Sequence, residues 1–179
     1  MKCKRLVIIN NKQFMENKKS KIFNYLRLKI VHGGVFRYIY KMLYSFYTNL
    51  FLGCDIKPHT NIGSNFTIYH GARGTVVSPA AIIGNNVSIR QNTTIGAKDF
   101  VDSDRSPIIE DNVVIGPHVC IHGAITIGHD SVFGAGAIVV KNVPPFAVVA
   151  GNPAKIIKML NSRLGEGKLQ DAAFFDCVA

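Results

Sequence analysis

A parallel β-helix, an all-β prism of short stacked strands, is the fold class this sequence predicts, and three observations predict it. Aliphatic or aromatic residues recur every six positions over most of residues 53–151. Glycine often follows them, and a small or β-branched residue often sits four places further on. One phase of the repeat is Ile56, Ile62 and Ile68; a second is Val77, Ile83, Ile89 and Ile95; a third is Ile109, Ile115, Ile121, Ile127, Phe133 and Val139. A period of six matches neither 3.6 nor 2 alone. It suits a short strand followed by a sharp corner where Gly or Asn tolerates unusual backbone angles. Three hexads make a triangular coil, and coils stack through parallel backbone hydrogen bonds so that the apolar residues fill one continuous interior. Periodicity carries no handedness.

Residues 1–52 precede the prism as a basic, mainly helical extension. Within 18–52, Val35, Ile39, Leu43, Phe46 and Leu50 follow i, i+3 or i, i+4 spacing, with Arg37 and Lys41 on another face, and Gly33-Gly34 splits the stretch into two helices. Two roles fit: a cap packed on the first coil, and a basic amphipathic surface that touches a membrane or an anionic acceptor. Residues 152–179 follow the prism. Asn152 and Pro153 read as an N-cap and first helical residue of a short helix with Ile156, Ile157, Leu160 and Leu164 on one face, and the tail from Gly165 has no pattern.

The chain of 179 residues, 47% hydrophobic, suffices for one domain with a buried core. Cys3, Cys54, Cys120 and Cys177 show no CxxC or Cys/His spacing, which argues against a disulfide framework or a zinc knuckle and for reduced thiols. The apolar run Leu6–Ile9 is too short for a signal-peptide core or a membrane span, so a cytoplasmic protein is expected. Net charge is +10, and its excess is N-terminal: residues 1–50 hold eleven Lys/Arg against the single acid Glu16. Such a block attracts polyanions, placing the protein at the inner face of the cytoplasmic membrane or near an acidic glycan; no nucleic-acid motif accompanies it.

The repeat is broken twice, and interruptions of a uniform scaffold are where function concentrates. From Ile68 to Val77 the spacing is nine residues, so His70-Gly-Ala-Arg-Gly74 bulges at a corner. The second break is the loop Asp99–Pro107, read as two residues beyond the in-phase spacing between Ile95 and Ile109. Three Asn-x-Ser/Thr triplets, at Asn65, Asn86 and Asn92, fall inside the hexads and read as corners.

Five stretches together resemble the serine acetyltransferase branch of the hexapeptide-repeat family, with its related capsular and surface-polysaccharide acetyltransferases. They are Asp55-Ile-Lys-Pro58, His70 through Val77, Ser88-Ile-Arg-Gln-Asn-Thr-Thr-Ile-Gly96, Asp104-Arg105, and Val148-Val-Ala-Gly-Asn-Pro-Ala-Lys155. The resemblance implies a left-handed prism, an exception to the right-handed rule for parallel crossovers. It also implies an acetyl-CoA-dependent O-acetyltransferase acting as a homotrimer, with no metal.

By the same resemblance His70 is the general base and Asp55 its orienting partner. Their fifteen-residue separation, three short of a coil, brings them to nearby corners, and a base that removes an alcohol's proton suits attack on a thioester. The resemblance assigns the oxyanion to the Gly96 and Ala97 amides. It assigns the acceptor to Arg105 and Gln91, and coenzyme A to the backbone at Ala97, Pro117 and Ala135 with Lys141 and Lys155 at its phosphates. The family's serine-specific members carry a histidine immediately before the loop proline and a long helical N-terminal domain; this chain has Ser106 before Pro107 and the basic extension instead. These departures predict a sugar or surface-polysaccharide acceptor, an acidic one matching the basic block, with serine as the alternative. A zinc hydratase and a non-catalytic scaffold are more remote: His118, His122 and His129 occupy different hexad positions, so their side chains diverge. Cys54, beside Asp55, is read as a buried thiol rather than a nucleophile, since direct transfer needs none.

Overall fold

A computed structural model describes residues 19–30, 34, 36–97 and 106–161. The tail from Gly165 and the start of the basic block lie outside them. Each predicted hexad becomes a strand of two residues ending on its apolar member, or of three that run one residue past it, as at Thr94–Gly96 and Cys120–His122. All thirteen apolar members, from Ile56 to Val139, are buried. The small residues Ala81, Val87, Thr93, Val113, Ser131 and Ala137 are fully buried where the chain turns from one face to the next.

Three parallel sheets form the prism faces. The first holds Asp55–Ile56, Val76–Val77, Thr94–Gly96, Cys120–His122 and Ile138–Val139; the second holds Asn61–Ile62, Ile82–Ile83, Ile108–Ile109 and Thr126–Ile127. The third runs from Thr67–Ile68 through Ser88–Ile89, Val114–Ile115 and Val132–Phe133 to Ala147–Ala150 and Lys155–Met159. In-phase coils are eighteen residues long, as Ile109 pairs with Ile127 and Ile121 with Val139. The first coil is longer by the three residues of the predicted bulge, since Ile56 pairs with Val77.

The corners explain the asparagines. Asn65, Asn86 and Asn112 stack at the second-to-third corner with φ of 56°, 55° and 61°, and adjacent side chains are joined amide to carbonyl at 3.0 Å. Asparagine tolerates this left-handed backbone and its amide can both donate and accept, so each corner also bonds the next. Gly53, Gly74, Asn92, His118 and Gly136 form the corresponding stack at the third-to-first corner, all with positive φ.

The extension caps the first coil, whose lower edge would otherwise expose unpaired backbone groups. Helix α1 covers residues 19–30 and helix α2 spans Arg37–Phe46, continued by a π-helical turn Tyr47–Leu52 that Gly53 ends at φ 64°. Phe23, Leu26, Ile30, Tyr44 and Leu52 join the prism core. Their polar neighbours satisfy the edge: Asn24 donates to Phe66 O, Arg27 to Thr60 O and Ile62 O, and Tyr44 to Ile56 O, while Ser20 Oγ accepts from Ile68 N. The helix break expected at Gly33-Gly34 falls where the two helices separate, though residue 33 lies outside the described residues. The apolar stripe behaves differently from a core-facing one. Ile39, Leu43, Phe46 and Leu50 are all exposed, because α2 turns its tyrosines Tyr40 and Tyr44 to the prism.

The C-terminal helix expected from Asn152 is absent, and Lys155–Met159 is instead a strand antiparallel to Ala147–Ala150. The third face would end there in an open edge, and pairing its backbone groups prevails over the helical spacing of Ile156, Ile157 and Leu160.

Candidate active site

Both interruptions border the first face, on its opposite sides. At the third-to-first corner of the first coil, His70 (φ 57°) and Gly71 (φ 76°) turn the chain outward into the bulge. His70 shares this left-handed backbone with the other corner residues, such as Asn92 and His118. The bulge rests on the end of the helical cap, with Gly71 against the carbonyls of Phe51 and Leu52, and Gly53 against Arg73. Asp55 begins the first face directly after that contact, its amide donating to Thr75 O at 2.8 Å. The fold thus brings the Asp55 and His70 segments to one corner of a single coil. Asp55 and His70 are both exposed, and Asp55 Oδ1 holds Lys57 Nζ at 2.8 Å.

One coil further, the same corner carries Gln91, whose side-chain oxygen is buried and has no hydrogen-bond partner among the described residues. Beside it the Arg90 guanidinium lies 5.6 Å from the Tyr69 ring centroid.

The second interruption is larger than its phase implied. Ile83 pairs with Ile109 and Ile95 with Ile121, making this coil 26 residues long. Ile95 and Ile109 therefore stand on successive faces, and the excursion is an eight-residue insertion at one corner rather than a two-residue slip. Arg105 lies outside the described residues. Ser106, at the loop's return, is buried with its Oγ 2.8 Å from Ser78 Oγ.

Gly96 ends its strand in register with His122, and its carbonyl accepts from Gly123 N at 3.0 Å. Ala97 follows where the chain leaves the sheet. Gly96 stands two strands across and two residues along from Asp55, roughly 12 Å at standard sheet spacings. Pro117 and Ala135 are brought together on the opposite side of the face from Ala97, since Gly136 N donates to Pro117 O at 2.9 Å. Lys141 and Lys155 are exposed.

The remaining candidates separate. His118 sits at the third-to-first corner, 3.3 Å from Asn92, and His129 sits at the second-to-third corner, 2.9 Å from the buried Asp130. No three His, Cys, Asp or Glu side chains among the described residues are grouped to hold a metal ion. Burial, and secondarily Asp55, pushes the Cys54 thiol up to about 12, so it is not a thiolate near neutrality. A cavity of about 240 Å³ lies beneath α1, lined by Arg27, His59 and Thr60, away from His70 and Gly96.

No family model matches the chain. Individual proteins do. A serine acetyltransferase of Mycobacterium tuberculosis is 41% identical over 111 residues, 62% of this chain and 48% of its own length. Serine acetyltransferase 2 of Arabidopsis thaliana is 40% identical over 111 residues, 62% of this chain and 34% of its own. Among solved structures, soybean serine acetyltransferase complexed with serine superposes with a TM-score of 0.66 at 36% identity, covering 83% of this chain and 58% of that one. The Neisseria gonorrhoeae serine acetyltransferase gives 0.67 at 32% identity, covering 80% and 54%. The chain is thus similar to serine acetyltransferases in both sequence and fold. It spans 34–58% of the length of these relatives, and its prism is a left-handed parallel β-helix like theirs.

These relatives overturn two expectations, the polysaccharide-acetyltransferase branch and the sugar or surface-polysaccharide acceptor. The structural grounds for those expectations also weaken. Ser106 is not an opening for a bulky acceptor but a buried hydroxyl tied to Ser78, and Arg27, one of the basic block's cations, is spent on capping carbonyls. No described helix is long and apolar enough to cross a membrane.

Proposed function

We propose that this chain transfers the acetyl group of acetyl-CoA to the hydroxyl of serine, the first step of a route to cysteine. The observation that carries it is the 40–41% identity to serine acetyltransferases over 111 residues. His70 removes the serine hydroxyl proton as the oxygen attacks the thioester carbonyl. Asp55, with one carboxylate oxygen on Lys57, keeps the other for the imidazole and stabilises its charged form. The Gly96–Ala97 backbone holds the developing oxyanion, and His70 returns its proton to the departing coenzyme A thiolate. The unpaired Gln91 oxygen suits the ammonium group of an amino acid, and Arg105 suits its carboxylate.

A homotrimer is part of this reading. Ala97 lies on one side of the first face and Pro117 and Ala135 on the other, so a coenzyme cleft drawing on all three needs a second subunit. The exposed apolar residues Ile156, Ile157 and Met159 offer surface for such packing. We place the enzyme in the cytoplasm. Exposed Met42, Phe46 and Leu50, with Arg37 and Lys41 at the flank, suit peripheral contact with an anionic membrane surface. Equal co-sedimentation with anionic and zwitterionic vesicles would count against that contact.

Steady-state kinetics with serine and acetyl-CoA test the function, and no turnover at millimolar serine overturns it. His70→Ala is expected to lower kcat by about 10²–10⁴ while retaining coenzyme A binding, with Asp55→Ala milder. An active His70→Ala enzyme removes His70 from the mechanism.

A further inference from the structure

On the outward side of the first face, Gly96 is the floor of a small notch. One neighbouring strand continues into Ser78, whose amide donates to Ile95 O at 2.8 Å and whose Oγ is 2.8 Å from that of buried Ser106. The other neighbouring strand presents His122, the register partner of Gly96. The imidazole leans over the glycine, so that a Cβ at position 96 would stand 3.3 Å from Nδ1 and 3.9 Å from Cε1. A side chain at 96 would fill the notch; glycine leaves it open to something that approaches the backbone closely.

The two walls differ in what they have left to offer. The serine hydroxyls bond to each other. The His122 ring is exposed and has no hydrogen-bond partner among the described residues, so a donor and an acceptor stand beside the point where the chain leaves the sheet at Ala97. Pantetheine, the arm of acetyl-CoA that ends in the thioester, is narrow and carries two amides and the thioester carbonyl. That chemistry matches a glycine-floored notch with one unsatisfied imidazole.

We propose that His122 is an acyl-donor positioning residue, hydrogen-bonding the pantetheine arm where it crosses Gly96. The inference rests on the acetyl-CoA reading above and adds a residue that the resemblance does not assign. His122 takes no proton in the reaction; it holds the arm so that the thioester meets the hydroxyl activated at His70.

The test combines His122→Leu, which keeps bulk and removes the hydrogen bond, with His122→Gln, which keeps a donor and an acceptor. Calorimetry with coenzyme A alone should show about tenfold weaker binding for His122→Leu, the worth of one hydrogen bond, with recovery in His122→Gln. KM for acetyl-CoA should rise by a similar factor with kcat and the serine KM little changed. A measurement on the unaltered protein guards against a folding defect: the His122 ring resonances should shift on coenzyme A addition. Unchanged coenzyme A affinity in His122→Leu, or unshifted ring resonances, overturns this proposal alone. A wild-type chain that binds no coenzyme A overturns both it and the reading it rests on.

Discussion

Gly74 shows how a single side chain can be forbidden by the repeat. Its φ is 69°, and a Cβ there would collide with Asn92 Oδ1 of the next coil. Gly74→Ala is therefore expected to cost about 1–3 kcal/mol, read as a lower urea midpoint with an unchanged slope. Cys54 gives a second prediction at this scale. Its thiol is pushed from 9.0 up to about 12 by burial and then by Asp55. The folded protein keeps a proton that the unfolded chain loses above about pH 9, so this stability is complete below pH 9 and disappears as pH rises towards 12. Tyr44, likewise raised by burial, adds to the same alkaline loss. Urea midpoints between pH 8 and 11 should fall, and Cys54→Ala should flatten the decline.

At the scale of elements, the helical cap and the closing strand do the same work at opposite ends: each satisfies backbone groups that a stack of parallel coils leaves open. The cap does so partly through side chains, and Tyr44→Phe isolates one of them. Its hydroxyl donates to Ile56 O at 2.6 Å while the ring packs on Phe23. Losing the hydroxyl alone should cost about 1–2 kcal/mol, measurable as a lower denaturation midpoint. Sequence reasoning found α1, α2 and the apolar stripe of α2, but not which face of α2 meets the prism. Hydrophobic periodicity marks Ile39, Leu43, Phe46 and Leu50, whereas Tyr44 wins the buried position because it brings a donor to an edge carbonyl. The closing strand was read as a helix for a related reason: a local pattern says nothing about an unpaired edge elsewhere in the molecule.

Across the whole molecule, stability should behave as a sum over stacked coils. Deleting residues 109–126, one coil between the register partners Ile109 and Ile127, should leave a folded prism with a lower melting temperature. Deleting 109–125 shifts every later residue out of phase and should abolish cooperative melting; comparable melts for the two deletions would contradict the one-dimensional picture. The sequence by itself determined the prism, its buried hexad residues and the positions of both interruptions, because a six-residue period recurs from Ile56 to Val139 and each hexad repeats the same strand and corner. Handedness and chemistry came from resemblance, and the acceptor inferred from Ser106 and the basic block had to be corrected. Only the tertiary structure decided which corners meet. It put the Asp55 and His70 segments in one coil, made the second loop a single-corner insertion, and set His122 against Gly96. These relations join residues 15 to 26 positions apart, and they depend on how many residues each coil consumes, a quantity fixed by pairing between strands rather than by any local run of sequence.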